Sequence, residues 1–128
     1  MRNMDIIKVL IVDTEESVCS LIADFLEMNG YSCRGATDPL KALDMLKHHD
    51  FNLVISGIRM KGMDGLDLTR EISKTYPSID TIVMSGFTGD YEYSDIIEAG
   101  AIDFIGEPLS LLELKAKIAR VNQERGML

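Results

Sequence analysis

The side chains that could do chemistry in this chain lie where short apolar runs end. Asp13 closes the first such run, and residues 51–55 form another that leads into Ser56 and Gly57. Open α/β sheets bind ligands at the carboxyl ends of their strands, so we expect the functional pocket at Ser56 and Gly57. Gly57 itself brings no side chain to that pocket.

Helical patterns alternate with these apolar runs along the whole chain. Strands are predicted at residues 8–13, 31–34, 51–55, 79–84 and 101–105, and helices at residues 14–28, 37–46, 66–75, 90–99 and 111–122. Five strands alternating with five helices predict an α/β fold with a parallel sheet covered by helices on both faces.

Length and charge exclude several classes of function. The chain has 128 residues, which fits one domain, and a net charge of −8 from 13 basic and 21 acidic residues. That balance argues against direct binding to nucleic acid or to an anionic membrane, both of which need a basic face. Cys19 and Cys33 form neither a disulfide framework nor a metal-ligand spacing, so we expect buried free thiols and a cytoplasmic location.

Seven short motifs, taken in order, resemble those of the receiver domain of two-component response regulators. They are residues 9–13 (VLIVD), 30–31 (GY), 58–60 (IRM), 62–65 (GMDG), 84–86 (MSG), 99–104 (AGAIDF) and 107–109 (EPL). The resemblance covers a core of about residues 7–122 of a single domain, 1–128. It implies a flavodoxin-like (βα)5 three-layer sandwich with strand order 2-1-3-4-5.

The family's chemistry, as the resemblance implies it, is phosphoryl transfer from a histidine kinase to an aspartate at the end of the third strand. Acids after the first strand hold Mg²⁺. A hydroxyl after the fourth strand and a lysine after the fifth bind the phosphoryl oxygens. These contacts draw two loops inward and reorient an aromatic residue on strand five.

The phosphorylation pocket of this chain departs from that pattern at three positions. Asp13 matches the first acid, but the second acidic position is Thr14, and the nucleophile position is Gly57. The hydroxyl position is Ser85, whereas the lysine position is Glu107, a reversal of charge. The aromatic switch position is Phe104.

These departures favour a degenerate receiver, a non-enzymatic signalling module that is not phosphorylated on aspartate. Other acceptors fit poorly: Ser56 should point into the sheet packing, and Asp64 should belong to the turn before the third helix. His48 and His49 should be solvated at a helix end. The alternative is a working phosphoreceiver whose acceptor aspartate was replaced at position 57, although Glu107 and Thr14 would still cripple its site.

Asp13 and Glu107 also raise the question of a cofactor. A divalent cation, Mg²⁺ or Ca²⁺, could sit between the two carboxylates, and without one the two acids should repel and raise one pKa. We favour the simpler alternative, in which Glu107 extends into solvent and no cofactor binds. The resemblance also suggests a cis peptide at Glu107–Pro108.

Protein partners are the remaining expectation: a histidine kinase, an output domain, or a second copy of the chain. The face of helix four, strand five and helix five is where receivers commonly make such contacts. In this chain the face would include the residues Tyr91, Tyr93, Phe104, Leu109, Leu111 and Leu112. The leucines have an alternative role as the core of the last helix, a role that suits Leu112 better than it would suit Tyr91.

Overall fold

Five parallel strands form one sheet in the order β2-β1-β3-β4-β5 in a computed structural model, which describes residues 6, 8–86 and 92–126. The strands are β1 (Lys8–Val12), β2 (Ser32–Ala36), β3 (Leu53–Gly57), β4 (Asp80–Ser85) and β5 (Asp103–Gly106). The helices are α1 (Glu16–Met28), α2 (Pro39–His48), α3 (Gly65–Thr75), α4 (Tyr93–Glu98) and α5 (Leu111–Gly126). The predicted fold class and strand order are confirmed.

The core lies on both faces of the sheet. On one face, α1 and α5 pack through Ile22, Leu26 and Leu114 against β1 and β3. On the other face, α2 and α3 pack against Leu10 and other residues of the same strands, and α4 packs beside α3. This two-sided burial explains why β1 and β3 have continuous apolar runs, whereas the edge strand β2 is mostly exposed and includes the polar residues Ser32 and Arg34.

The first residues of two helices show how nearby side chains determine where a helix begins. The side chain of Asp38 accepts hydrogen bonds from the backbone N–H groups of Leu40 and Lys41, and Pro39 occupies the first turn. The first helix begins differently, because the residue before it, Glu15, makes no capping hydrogen bond through its side chain. Its backbone N–H instead donates to Asp13 Oδ1 at 2.9 Å.

Several predicted boundaries and faces were wrong. The third strand lies two residues later than predicted, because Phe51 and Asn52 precede the ladder and Ser56 and Gly57 still pair with neighbouring strands. Helix α5 extends four residues beyond the prediction, to Gly126. Two leucines whose spacing places them on the apolar faces of helices one and two are exposed, because each helix buries a narrower stripe than its apolar composition suggests. They are Leu21 at 55% and Leu40 at 65%. Leu112 is exposed at 74%, which contradicts its alternative role in the core of the last helix.

No helix among the described residues combines the length and the apolar character needed to cross a membrane.

Candidate functional site

The site lies at the carboxyl edge of the sheet, where four strands end side by side. Val12 pairs with Ser56 and Gly57 pairs with Met84, while Ser85 pairs with Gly106. This register brings the residues that follow these strands to one edge. The edge therefore contains the predicted pocket residues Asp13, Thr14, Gly57, Ser85 and Glu107.

Asp13 lies directly beside Gly57. A Cβ placed on Gly57 would lie 3.1 Å from Oδ2 of Asp13, so any side chain at position 57 would project toward this carboxylate. Burial raises the pKa of Asp13 above its ordinary value, the hydrogen bond from the Glu15 backbone opposes that shift, and the nearby Glu15 carboxylate adds to it. Glu107 is not among the causes, so the predicted repulsion between Asp13 and Glu107 does not account for the raised pKa of Asp13.

Ser56 points into the protein, as predicted. Its side chain is fully buried, and its hydroxyl donates to the backbone carbonyl of Gly57 at 2.8 Å. Asp64 is the residue before α3, and its Oδ1 accepts from the backbone N–H of Asp67 at 2.9 Å. Both side chains therefore have structural roles beside the pocket.

Glu107 connects the ends of β4 and β5. Its backbone N–H donates to the carbonyl of Ser85 at 3.1 Å, and the predicted cis peptide at Glu107–Pro108 is present. The residue is exposed, but its carboxylate turns back over the sheet edge. Oε1 lies 2.6 Å from the point that a Cβ on Gly86 would occupy.

Comparisons with known proteins decide the family. The model of the response regulator receiver domain matches residues 9–119. The chain belongs to the response regulator receiver family. The chain is also 28% identical over 116 residues to the transcriptional regulatory protein ZraR of Escherichia coli (strain K12), an overlap covering 91% of this chain and 26% of ZraR.

Other receiver proteins extend the comparison. A putative NtrX-like response regulator of Rickettsia bellii is 32% identical over 129 residues, covering 94% of this chain and 27% of that protein. The chain thus spans about a quarter of the length of these relatives. A receiver domain protein (CheY-like) from Methanospirillum hungatei shares the fold, with a TM-score of 0.86 at 24% identity and coverage of 96% and 98% of the two chains. The beryllofluoride-activated NtrC4 receiver domain dimer gives a TM-score of 0.84 at 27% identity, with coverage of 92% and 98%.

The donors at the sheet edge do not fit the metal of a phosphorylatable receiver. At the positions that the sequence resemblance assigned to the nucleophile and the second acid, the chain has Gly57 and Thr14, which leaves Asp13 as the carboxylate of that set. Across residues 6, 8–86 and 92–126, no cluster of three or more His, Cys, Asp or Glu side chains could hold a metal ion. A hard divalent cation prefers several oxygen ligands, which a single carboxylate does not provide.

Phe104, at the switch position of the receiver family, is half-buried on β5 and contacts two neighbouring elements. Its ring lies 4.9 Å from the ring of Tyr93 on α4, measured between centroids. Lys117 Nζ of α5 lies 5.5 Å from the Phe104 centroid, in the geometry of a cation–π contact. The aromatic residue is therefore packed between α4 and α5.

The sequence analysis did not predict a group of salt-bridged side chains next to this aromatic contact. Asp103 is buried on β5 and accepts from Lys117 Nζ at 3.3 Å and from Arg120 at 2.9 Å. The acid lies in a predicted strand, and the two cations lie three residues apart in a predicted helix, so this spacing could be read from the sequence. The angle at which α5 crosses β5 could not be read from it.

Proposed function

We propose that this chain is a receiver-like module of a two-component or phosphorelay system that acts by protein–protein contact, without phosphorylation of an aspartate. The observation that carries this proposal is the position of Gly57. It is the last residue of β3, directly beside Asp13, and it has no side chain to attack a phosphoryl donor.

The other groups at the sheet edge support the same proposal. The Ser56 hydroxyl is buried and donates to a carbonyl, and the Asp64 carboxylate caps α3. Glu107 places a negative charge where the family has the cation that binds the phosphoryl product. A carboxylate repels a phosphate, so the pocket would oppose the charge that phosphorylation adds. In this proposal, the site functions without a cofactor.

The partner surface that we propose is the face formed by α4, β5 and α5, together called the α4–β5–α5 face. Tyr93, Ile97 and Leu112 are exposed there at 54%, 39% and 74%, around the half-buried Phe104. Grouped exposed apolar side chains are typical of protein-binding surfaces. The predicted contact residue Tyr91 lies outside the described residues. Candidate partners are a histidine kinase, an output domain, or a second copy, as in the NtrC4 receiver dimer. We propose that the chain meets these partners in the cytoplasm.

One observation favours the alternative of a phosphoreceiver that lost its acceptor at position 57. Asp13 and Ser85 remain at their family positions, and a Cβ on Gly57 would point toward Oδ2 of Asp13 without overlapping it. A Cβ at position 57 therefore requires only a small shift of Asp13. Glu107 and Thr14 count against this alternative, because both would remain.

Intact-mass measurement after incubation with acetyl phosphate and Mg²⁺ tests the proposal. The parent chain, Gly57→Asp, Gly57→Ala and the double variant Gly57→Asp/Glu107→Lys are compared. We expect no phosphoryl adduct on the parent or on Gly57→Ala, and the largest adduct on the double variant. A stable adduct on the parent chain would contradict the proposal. An equal adduct on Gly57→Asp and on the double variant would show that only the nucleophile is missing, which favours the alternative.

A further inference from the structure

Strand β2 forms an open edge of the sheet. Within the described residues β2 pairs with β1 alone, so its other side faces away from the ladder. The strand is mostly exposed, it contains no proline, and Gly35 has no side chain that could shield the backbone. An edge of this kind presents N–H and C=O groups to which another strand can bind.

The ladder identifies the residues of β2 whose backbone groups point away from the sheet. Successive residues of a strand direct their N–H and C=O groups to opposite sides of the strand. The carbonyl of Ala36 accepts from the N–H of Asp13 at 3.1 Å, so Ala36 points toward β1. By alternation Arg34 also points toward β1, whereas Cys33 and Gly35 direct their backbone groups outward.

A cavity lies on each side of this edge. The cavity on the α1 side has a volume of about 330 Å³, and its lining includes Cys19 and Cys33. The cavity on the α2 side has a volume of about 140 Å³, and its lining includes Ser32 and Phe51. Side chains of a strand alternate between the two faces of a sheet, so a strand added beside β2 would direct alternate side chains toward the two cavities.

The charged side chains around this edge have the opposite balance to the rest of the chain. Those that line the two cavities are the cations Lys8, Arg34 and Lys41 and the acids Glu16 and Asp50. Three cations thus face two acids here, whereas the whole chain has a net charge of −8. Within the described part of the chain, none of the three cations forms a salt bridge. Their charges are therefore available to an acidic ligand.

We propose that the β2 edge binds an extended acidic segment of a partner protein, which adds to the sheet as a further strand. The backbone of the segment bonds to Cys33 and Gly35, and its acidic side chains lie near Lys8, Arg34 and Lys41. This inference goes beyond the proposed function, because it adds a second contact surface at the sheet edge opposite β5. A module with a surface at each edge can bind two proteins at once.

Charge also decides against a second copy of the chain at this edge. Arg34 is the middle residue of β2, so two β2 edges paired antiparallel would place one Arg34 near the other. Like charges directly opposite each other destabilise a strand pair, whereas an acidic side chain at the same place is attracted.

An NMR titration of the full chain tests the edge. The probe is a short synthetic peptide that alternates Glu and Val, and the control peptide alternates Lys and Val. We expect the Glu–Val peptide to shift the amide ¹H–¹⁵N signals of Cys33 and Gly35 more than that of Arg34, because the Arg34 N–H is already bonded within the ladder. Equal shifts with the Lys–Val peptide, or no shift at millimolar peptide, would overturn the proposal. Signals of Cys33 and Gly35 that move on dilution without peptide would show that a second copy occupies the edge, which would also overturn it.

Charge variants test the acidic character of the ligand. Arg34→Glu should weaken binding of the Glu–Val peptide about tenfold, the scale of one close charge pair at an interface. Lys74→Glu, at an exposed position of α3, is the matched control and should leave the affinity unchanged. Arg34→Gln, with an expected loss of about threefold, replaces Arg34→Glu if the reversed charge unfolds the protein. Equal affinities of the parent and the position-34 variants would overturn the proposal. Phosphorylation enters none of these measurements, so this inference and the proposed function fail separately.

Discussion

At the residue scale, the chemistry of Asp13 depends on its neighbours, of which Gly57 brings no side chain. In phosphorylatable receivers the family pattern implies a metal ion beside the first acid. Here Asp13 faces a glycine, with a hydrogen bond from Glu15 and no second carboxylate of the family set. Partial burial without a paired cation raises the pKa of Asp13, because the charged form loses hydration. The ionised acid therefore weakens the fold near neutral pH.

Replacing Asp13 by asparagine should stabilise the protein at pH 7. A carboxyl pKa that is higher in the folded state means that ionisation disfavours folding above that pKa, and that this penalty disappears as the pH falls through it. Asparagine keeps an oxygen for the Glu15 N–H and removes the charge. We expect Asp13→Asn to raise the free energy of unfolding by about 0.5 kcal/mol at pH 7, the scale of a partly screened charge.

Urea unfolding of the parent and Asp13→Asn at a series of pH values measures this effect. The difference between the two proteins should shrink as the pH falls from 7 through the raised pKa of Asp13. Asp24→Asn, which removes an exposed carboxylate of α1, is the control and should show no comparable gain. A loss of stability in Asp13→Asn at pH 7 would contradict the argument.

The two cysteines should be unreactive in the folded protein. Burial, with a smaller effect of the Glu27 carboxylate, raises the pKa of Cys33 to about 12, and burial first and then Asp13 raise the pKa of Cys19. Because the thiolate is the nucleophile, we expect Cys33 to react with iodoacetamide at pH 8 about a hundredfold or more slowly than an ordinary exposed thiol. Mass spectrometry after timed alkylation, with a sample unfolded in urea as the control, gives both rates. Equal rates in the folded and unfolded samples would contradict this prediction.

At the scale of elements, the connection between β3 and α3 depends on close backbone contact. The N–H of Gly65 donates to the carbonyl of Ile58 at 2.7 Å, and a Cβ on Gly65 would overlap the carbonyl of Gly57. Gly65 is the first residue of α3, so its position sets where the helix starts relative to the site. A side chain at position 65 would push the helix away from the strand end.

Gly65→Ala should therefore destabilise the fold although alanine favours helices. Overpacking against backbone costs about 1–3 kcal/mol, which exceeds the gain of up to about 1 kcal/mol from replacing glycine in a helix. Gly126→Ala is the matched control, because nothing lies within 4 Å of a Cβ at that helical glycine. Thermal unfolding followed by circular dichroism should show a loss for Gly65→Ala and little change for Gly126→Ala. Equal Tm values for the two variants would contradict the steric argument.

The order of elements was predictable from the sequence, and the contacts between them were not. Alternating apolar runs and helix signals such as Asp38–Pro39 identified every strand and helix in order, because these signals are local. The two-residue shift of β3 was missed because Ser56 and Gly57 are poor strand formers that tertiary pairing holds in the ladder. The approach of Glu107 to Gly86 depends on a rotamer, which residue spacing does not determine.

At the scale of the whole molecule, salt bridges join β5 to α5 beneath the proposed partner surface. Asp103 is buried and accepts from Lys117 and Arg120, and Lys117 also lies over the ring of Phe104. These contacts hold the helix that carries Leu112 against the strand that carries Phe104. Two elements of the α4–β5–α5 face are thus joined by charged contacts below its exposed apolar side chains.

Leu112→Glu tests the assignment of this face. Leu112 is 74% exposed, so a charge there should leave the Tm within about 2 °C of the parent value, as for other surface substitutions. If a second copy binds through the α4–β5–α5 face, the same charge should weaken dimerisation about tenfold or more, since a central apolar contact commonly contributes over 1 kcal/mol.

Leu21→Glu is the matched control on α1, where the leucine is 55% exposed on a different helix. Sedimentation equilibrium of the three proteins measures the dissociation constants. Equal weakening by Leu21→Glu, or a monomeric parent at every concentration, would contradict a homodimer through this face. A monomeric parent would leave a kinase or an output domain as the partner to test with the same two variants, because the exposed apolar residues are the same whichever protein covers them.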